Sequence, residues 1–372
     1  MTAQRRIATV AAACLIALGA VAAIAMTRED RRTAPAARSQ RLEGHIRIGV
    51  IANTLEEGGR MGADQDIARR SGAGWLREEF RWYEAEPHPS RWRWHRIDAL
   101  MRAAARRGLR VLPLLIGAPR WVTASEMHVP ARPGGFARFT ARVARRYGPE
   151  GTFWRGRPEG ERRLAPRVFE IWNEPFVPQF AGRHVSAGRY ARLFRAAARA
   201  GERANPQTRY LLAVDTTYIT ATGETREWIP DLLRAVPDLR RWTWGLAVHP
   251  YSVTQAPSVY TPGSSRFQFL RIREVRQTWG GTPRLWLTEL GWSTCPSRIE
   301  CVSEADQAEY LREAFDIARS EPLGVEAIFV YRLLELAPPD PHDPEQWFGL
   351  RRSDGSPKPA WHALQQIAED DQ

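Results

Sequence analysis

The chain is almost without lysine. Lys358 is the single copy, and the remaining 53 basic residues are all arginine, giving a net charge of +12 over 372 residues. The arginines run along the whole chain and do not gather into a basic stretch interleaved with aromatics. That pattern reads as codon usage and argues against a nucleic-acid groove, since net charge by itself speaks to solubility and non-specific attraction. Cysteine is nearly as scarce, with three copies at Cys14, Cys295 and Cys301. The histidines, among them His88, His95, His249, His342 and His362, lack ligand spacing such as His-Glu-x-x-His, so no metal is expected. Nor is there a Gly-x-Ser-x-Gly elbow or a phosphate-cradling loop, and no cofactor is implied. What the chain does have is 43% hydrophobic residues and 15 Trp, enough to build a large core.

The N-terminus reads as targeting. Arg5 and Arg6 precede an apolar run from Ile7 to Met26, long enough to span a bilayer as a helix. Ala23-Ile24-Ala25 equally fits a small-residue cleavage site, so residues 1–26 are a signal peptide or a membrane anchor. Arg28, Arg31 and Arg32 just beyond weaken any orientation drawn from flanking charge. An acylated Cys14 would need a longer apolar run before it. Residues 27–43, rich in Ala, Arg, Pro and Ser, read as a linker. The expected location is outside the cytoplasm, secreted or anchored to the outer face of the cytoplasmic membrane, with membrane contact only through this segment. In an exported domain Cys295 and Cys301 suggest a disulfide closing a small loop, two free thiols being the alternative.

From Gly44 onward strand and helix patterns alternate. Expected strands lie at 45–52, 74–80, 109–116, 168–173, 210–214, 244–249, 284–288 and 327–331, with helical periodicity between them. Continuous apolar runs such as Leu109–Ile116 fit buried parallel strands. Eight such units over residues 44–372 predict a single-domain (β/α)₈ barrel. The rival, an open doubly wound sheet, lacks its Gly-rich turn after the first strand, where Ile51-Ala52-Asn53-Thr54 stands instead.

Two of these strands end on a carboxylate. Phe169-Glu170-Ile171-Trp172-Asn173-Glu174-Pro175 and Leu285-Trp286-Leu287-Thr288-Glu289-Leu290-Gly291-Trp292 each close with a strand breaker. A carboxylate there is costly unless something pairs with it or uses it. Barrel enzymes place their chemistry at the C-terminal ends of the strands. Period-two alternation puts Leu285, Leu287 and Glu289 on one inward face. Glu170, four residues before Glu174, is read as a structural charge roughly 13 Å lower in the barrel.

Trp-Asn-Glu-Pro after the fourth strand and Leu-Thr-Glu-Leu-Gly-Trp on the seventh resemble the clan A glycoside hydrolases, cellulase-like and family 39 β-xylosidase-like. The resemblance extends through Ala118-Pro119-Arg120-Trp121, Tyr147-Gly148-Pro149 and Gly355-Ser356-Pro357-Lys358-Pro359-Ala360, nearly all of residues 46–365. It implies a retaining glycosidase with Glu174 as acid/base, Glu289 as nucleophile and Asn173 on the sugar 2-hydroxyl. Two unequal carboxyls about 5–5.5 Å apart are what a double displacement needs. Arg77 is the natural cation for Glu289, and His249 and Tyr251 follow the sixth strand, where the clan places a His and a Tyr near the nucleophile. Candidate sugar-stacking rings are Trp82, Trp121, Trp292, Tyr331 and Trp347. Many relatives carry a Trp at the end of strand eight; here Tyr331 stands in its place.

The expectation is a glycosidase acting on an extracellular or cell-envelope oligo- or polysaccharide. Its rivals are a catalytically silent carbohydrate-binding barrel, which predicts loss of a carboxylate, and an envelope scaffold protein, for which retention of residues 1–26 is the discriminating feature.

Overall fold

A computed structural model describes residues 45–371, apart from 53, 56–60, 183, 265, 298–299 and 337–338. The targeting and linker segments expected at 1–26 and 27–43 lie outside the described residues. Among the described residues no helix is long and apolar enough to cross a membrane. Gly44–Gln372 forms one unit.

Eight parallel strands close into a barrel in chain order: Arg47–Ile51, Trp75–Arg81, Arg110–Ile116, Val168–Ile171, Arg209–Ala213, Gly245–Val248, Leu285–Leu290 and Val325–Val330. The principal helices between and after them are Met61–Arg70, His95–Arg106, Gly134–Tyr147, Ala187–Ala204, Trp228–Ala235, Ile272–Trp279, Glu304–Ser320 and Pro359–Asp370. This is the expected (β/α)₈ barrel. A short antiparallel hairpin, Thr217–Ile219 with Thr225–Glu227, interrupts the fifth unit and was not legible as strands, since its second arm is fully exposed and polar.

Two apolar clusters hold the barrel. The larger lies between sheet and helices, where Leu285, Leu287, Phe169 and Ile171 meet residues such as Phe136, Tyr190 and Leu311. The smaller fills the lumen with Ile51, Leu112, Val168, Leu211, Trp286 and Phe329. Trp286 stacks on Phe329 with centroids 6.2 Å apart. Gly49 makes room for that ring: a Cβ there would sit 2.3 Å from Phe329 Cδ1. Lumen packing therefore rests on one glycine and two large aromatics, an alternation of small and large that fits a tapering barrel.

The face of the seventh strand differs from expectation. Leu285 and Leu287 point outward to the helices, and Trp286 points into the lumen. The register against the eighth strand then slips, from Leu287 opposite Ile328 to Leu290 opposite Val330. Thr288 and Glu289 together face one residue of the neighbour, a β-bulge. Without it, strict alternation would send Glu289 outward with Leu285 and Leu287; the extra residue turns it to the mouth of the barrel.

Candidate active site

The site grows from one buried guanidinium. Arg77 shares its strand face with Trp75 below and Glu79 above, so it points into the lumen. Its Nε and Nη2 donate to Glu170 at 2.6 and 3.0 Å, Nη1 donates to Glu289 Oε1 at 2.8 Å, and Nη2 also donates to Asn173 Oδ1 at 2.8 Å. One planar fork thus ties the second, fourth and seventh strands together, geometry that an ammonium cannot reproduce. Burial works against the charge on Arg77, but Glu170 and Glu289 more than offset it and push the guanidinium pKa up. Glu170 is buried completely, which by itself would raise its pKa; Arg77 and His249 bring the carboxyl down to about 2.

Glu174 lies three residues beyond the fourth strand. The chain turns there through two left-handed residues, Trp172 at φ 67° and Glu174 at φ 37°. Non-glycine residues hold such angles only where their surroundings over-determine them. Here the Trp172 amide donates to Leu115 O at 2.9 Å and its indole to Phe180 O at 2.7 Å. The turn brings both Asn173 and Glu174 over the lumen.

His249 and Tyr251 flank Pro250 after the sixth strand. The Tyr251 amide donates to His249 O at 2.9 Å, a tight turn that keeps both side chains on the site. His249 Nδ1 lies 2.9 Å from Glu174 Oε1 and 3.6 Å from Glu289 Oε2, and Nε2 lies 3.1 Å from Thr288 Oγ1. Thr288 donates onward to Glu170 Oε1 at 3.1 Å. Burial disfavours the imidazolium, yet Glu289, Glu170 and Glu174 together lift its pKa to about 9. In its protonated form the ring donates from both nitrogens, to Glu174 and to Thr288. Tyr251 donates its hydroxyl to Glu289 Oε2 at 2.7 Å, and burial beside that carboxylate pushes the phenol pKa well up.

The two glutamates end up in unequal settings. Glu289 accepts from Arg77 at one oxygen and from Tyr251 at the other, and its side chain is 12% exposed. Glu174 has the single partner His249 among the described residues and is 21% exposed. One oxygen of each, with a ring nitrogen of His249, lies within 4.8 Å of the others. Three such atoms could in principle close on a cation.

The aromatic candidates divide. Trp121 is 40% exposed and meets Trp82 edge-on at 5.8 Å, so it stands free on the loop after the third strand. Tyr331, just past the eighth strand, packs edge-to-face against Tyr251 at 6.2 Å and donates its hydroxyl to Glu345. Trp347 is half-buried, its indole donating to Asp340 O at 2.7 Å. Trp292 is a correction. It is 1% exposed, its indole donates to Ser252 Oγ at 2.9 Å, and its ring is covered by Tyr310, so no sugar can stack on it. Trp82 is likewise sealed, stacked on Phe139 and edge-on to Phe136. Cys295 and Cys301 form a disulfide with Cα atoms 5.5 Å apart, in the loop after the seventh strand.

Two residues of the cleft escaped the sequence reading. Phe348 contacts both Tyr251 and Tyr331, at 5.7 and 5.4 Å. Glu345 reaches Tyr331 from the short turn Pro344–Trp347 and accepts its hydroxyl. Both sit in a loop without periodic patterning, where no spacing marks them out. The single lysine also acts here. Lys358 is buried, with Nζ 2.5 Å from Glu335 and donating to Thr294 Oγ1 at 2.8 Å and Trp347 O at 3.1 Å. It bolts the loop after the eighth strand to the loop after the seventh.

No family model matches the sequence, and no curated protein matches it. Solved structures do match in shape. A family 39 glycoside hydrolase from Bacteroides cellulosilyticus WH2 superposes with a TM-score of 0.64 at 18% identity, covering 88% of this chain. The chain spans 64% of that protein's length, just under two thirds. A monomeric β-xylosidase from Caulobacter crescentus CB15 gives 0.62 at 18% identity, over 87% of this chain and 68% of its own. GH5_18 from Streptomyces cattleya, in complex with GlcNAc, gives 0.63 at 18% identity, over 88% and 80%. The likeness is one of fold: at this identity the chain shares its (β/α)₈ barrel with these glycoside hydrolases.

Proposed function

We propose that the protein is a retaining glycoside hydrolase, with Glu289 as nucleophile and Glu174 as acid/base. The observation that carries this is the facing pair of glutamates with oxygens within 4.8 Å and different partners. Separations of about 5–5.5 Å fit a double displacement, whereas inverting enzymes leave roughly 6.5–9.5 Å for a water. Arg77 and Tyr251 donate to the two oxygens of Glu289 and hold it aimed, as attack at an anomeric carbon requires. Glu174 is held by His249 at one oxygen and is 21% exposed, so the carboxyl is oriented yet open to exchange a proton with a leaving group or water. Asn173, its oxygen fixed by Arg77, keeps its amide N–H groups for a sugar 2-hydroxyl. Trp121 and Tyr331 offer ring faces or edges to an oligosaccharide.

The disulfide fits an oxidising compartment, and with the apolar run Ile7–Met26 it supports action outside the cytoplasm on a secreted or envelope glycan.

Azide rescue tests the assignment. On an activated aryl glycoside, Glu174→Ala should turn over faster with azide and give a glycosyl azide of retained configuration. Glu289→Ala should give the inverted azide. A wild-type protein that binds the glycan without turning it over would favour the silent-barrel reading.

A further inference from the structure

The opposite end of the barrel carries a second concave site, independent of the reaction proposed above. A bowl of about 650 Å³ opens where the strands begin, floored by Trp75, Trp244 and Trp286. Trp75 and Trp244 each meet Trp286 edge-on, at 5.7 and 5.9 Å. Around this floor stand arginines placed by strand starts: Arg47, Arg110 and Arg209 open the first, third and fifth strands, and Arg167 and Arg284 immediately precede the fourth and seventh. Three lie over the indoles, Arg47 on Trp286, Arg110 on Trp75 and Arg284 on Trp244, at 5.6, 5.8 and 5.0 Å.

These charges are poorly matched. Among the described residues, Glu326 is the one carboxylate that bonds to any of the five, and Arg47 and Arg284 share it. Arg110 donates to a backbone carbonyl, Arg209 to two carbonyls, and Arg167 to Gln207. Carboxylates around the bowl are engaged elsewhere or act at a distance: Glu159 pairs with Arg163, Glu150 accepts from Gln207, and Glu202 feels Arg209 only through space. Burial, together with Arg167 and Arg47, lowers the pKa of Arg110, as crowded like charges require. Three guanidinium forks therefore keep unused N–H donors over one half-buried aromatic floor. Guanidinium forks match oxyanions in bidentate fashion, and a concave wall with few anions concentrates that attraction.

We propose that this bowl is a binding site for a phosphate-bearing polyvalent anion, held by Arg110, Arg167 and Arg209 over Trp75 and Trp244. The phosphates could belong to a free small molecule or to a lipid headgroup surface, and the test separates the two.

Pyrophosphate would be titrated into the full chain by calorimetry and by tryptophan fluorescence, at low and high salt. Arg110→Gln/Arg167→Gln would be compared with Arg102→Gln/Arg138→Gln, which removes the same net charge from exposed helix positions away from the bowl. The expected result is at least about ten-fold weaker binding in the bowl variant and less than two-fold change in the control. Arg110→Lys/Arg167→Lys, which keeps the charge, serves if the glutamine variant fails to fold; loss of the forks should still weaken binding several-fold. In the second arm, vesicles containing phosphatidylglycerol are sedimented with each variant. Vesicle binding that falls in the bowl variant and is competed by pyrophosphate identifies headgroups as the source. Vesicle binding indifferent to the bowl, with pyrophosphate binding still dependent on it, identifies a free ligand. Equal losses in bowl and control variants, or no dependence on Arg110 and Arg167 in either arm, would overturn the proposal.

Discussion

Arg77 grips Glu170 and Glu289 at once, with Nε and Nη2 on the first at 2.6 and 3.0 Å and Nη1 on the second at 2.8 Å. Glu170 has no access to water, so its charge depends on that grip. Arg77→Met should destabilise the fold by about 3–5 kcal/mol, the range for stranding one member of a buried pair. Arg77→Met combined with Glu170→Met should recover part of the loss, because the fully buried carboxylate is gone while the partly exposed Glu289 keeps its hydrogen bond from Tyr251. Urea denaturation of the three proteins checks this; equal losses in single and double variants would show that the pair is not the source.

His249 makes stability fall with rising pH. Its pKa is raised from 6.5 to about 9 by the surrounding carboxylates. The stabilisation is complete below about 6.5, declines as pH rises, and is gone above about 9. A shift of this size corresponds to something on the order of 3 kcal/mol. Glu170, lowered to about 2, acts in the opposite direction: its contribution is present above the ordinary 4.5 and lost as pH falls toward 2. The melting temperature should therefore be highest between about 4.5 and 6.5 as far as these two groups decide it. In His249→Asn the decline between 6.5 and 9 should flatten, as a pH series of melting curves would record.

Lys358 should resist amine-reactive reagents in the folded protein, because its Nζ is enclosed by Glu335, Thr294 and Trp347 O. Burial also lowers its pKa. Lys358→Met leaves Glu335 buried without its cation, and a loss of about 3–5 kcal/mol is expected. The damage should appear first in the loops after the seventh and eighth strands, as faster amide exchange around Thr294 and Trp347 than in the barrel strands.

Gly49→Ala tests lumen packing. The added Cβ would lie 2.3 Å from Phe329 Cδ1, so the ring must move within a filled interior. Overpacking of this kind costs typically 1–3 kcal/mol. Gly49→Ala with Phe329→Leu should be more stable than Gly49→Ala alone, measured by the denaturation midpoint.

The barrel was legible because eight apolar runs alternate with helical patterns, and each strand announced itself by composition. The identity of the facing glutamates was legible from their strand-end positions. Which way Glu289 points was not: strict alternation reaches an inward Glu289 by also turning Leu285 and Leu287 inward, whereas the structure reaches it through a bulge. A bulge is a relation between two strands and leaves no mark in one. Trp292 looked like a cleft residue for the same reason, since sequence position does not tell which ring is sealed by Tyr310. Phe348, Glu345 and the arginine bowl join residues remote in sequence, and only strand register brings them together.

The most direct test of the central claim is the intact mass of the protein after incubation with a panel of 2-deoxy-2-fluoro glycosyl fluorides. The account predicts a gain of one fluorosugar with at least one donor, mapped by peptide fragmentation to Glu289 and absent in Glu289→Gln. A label on another residue, or turnover of a natural glycan with inversion of configuration, would contradict it.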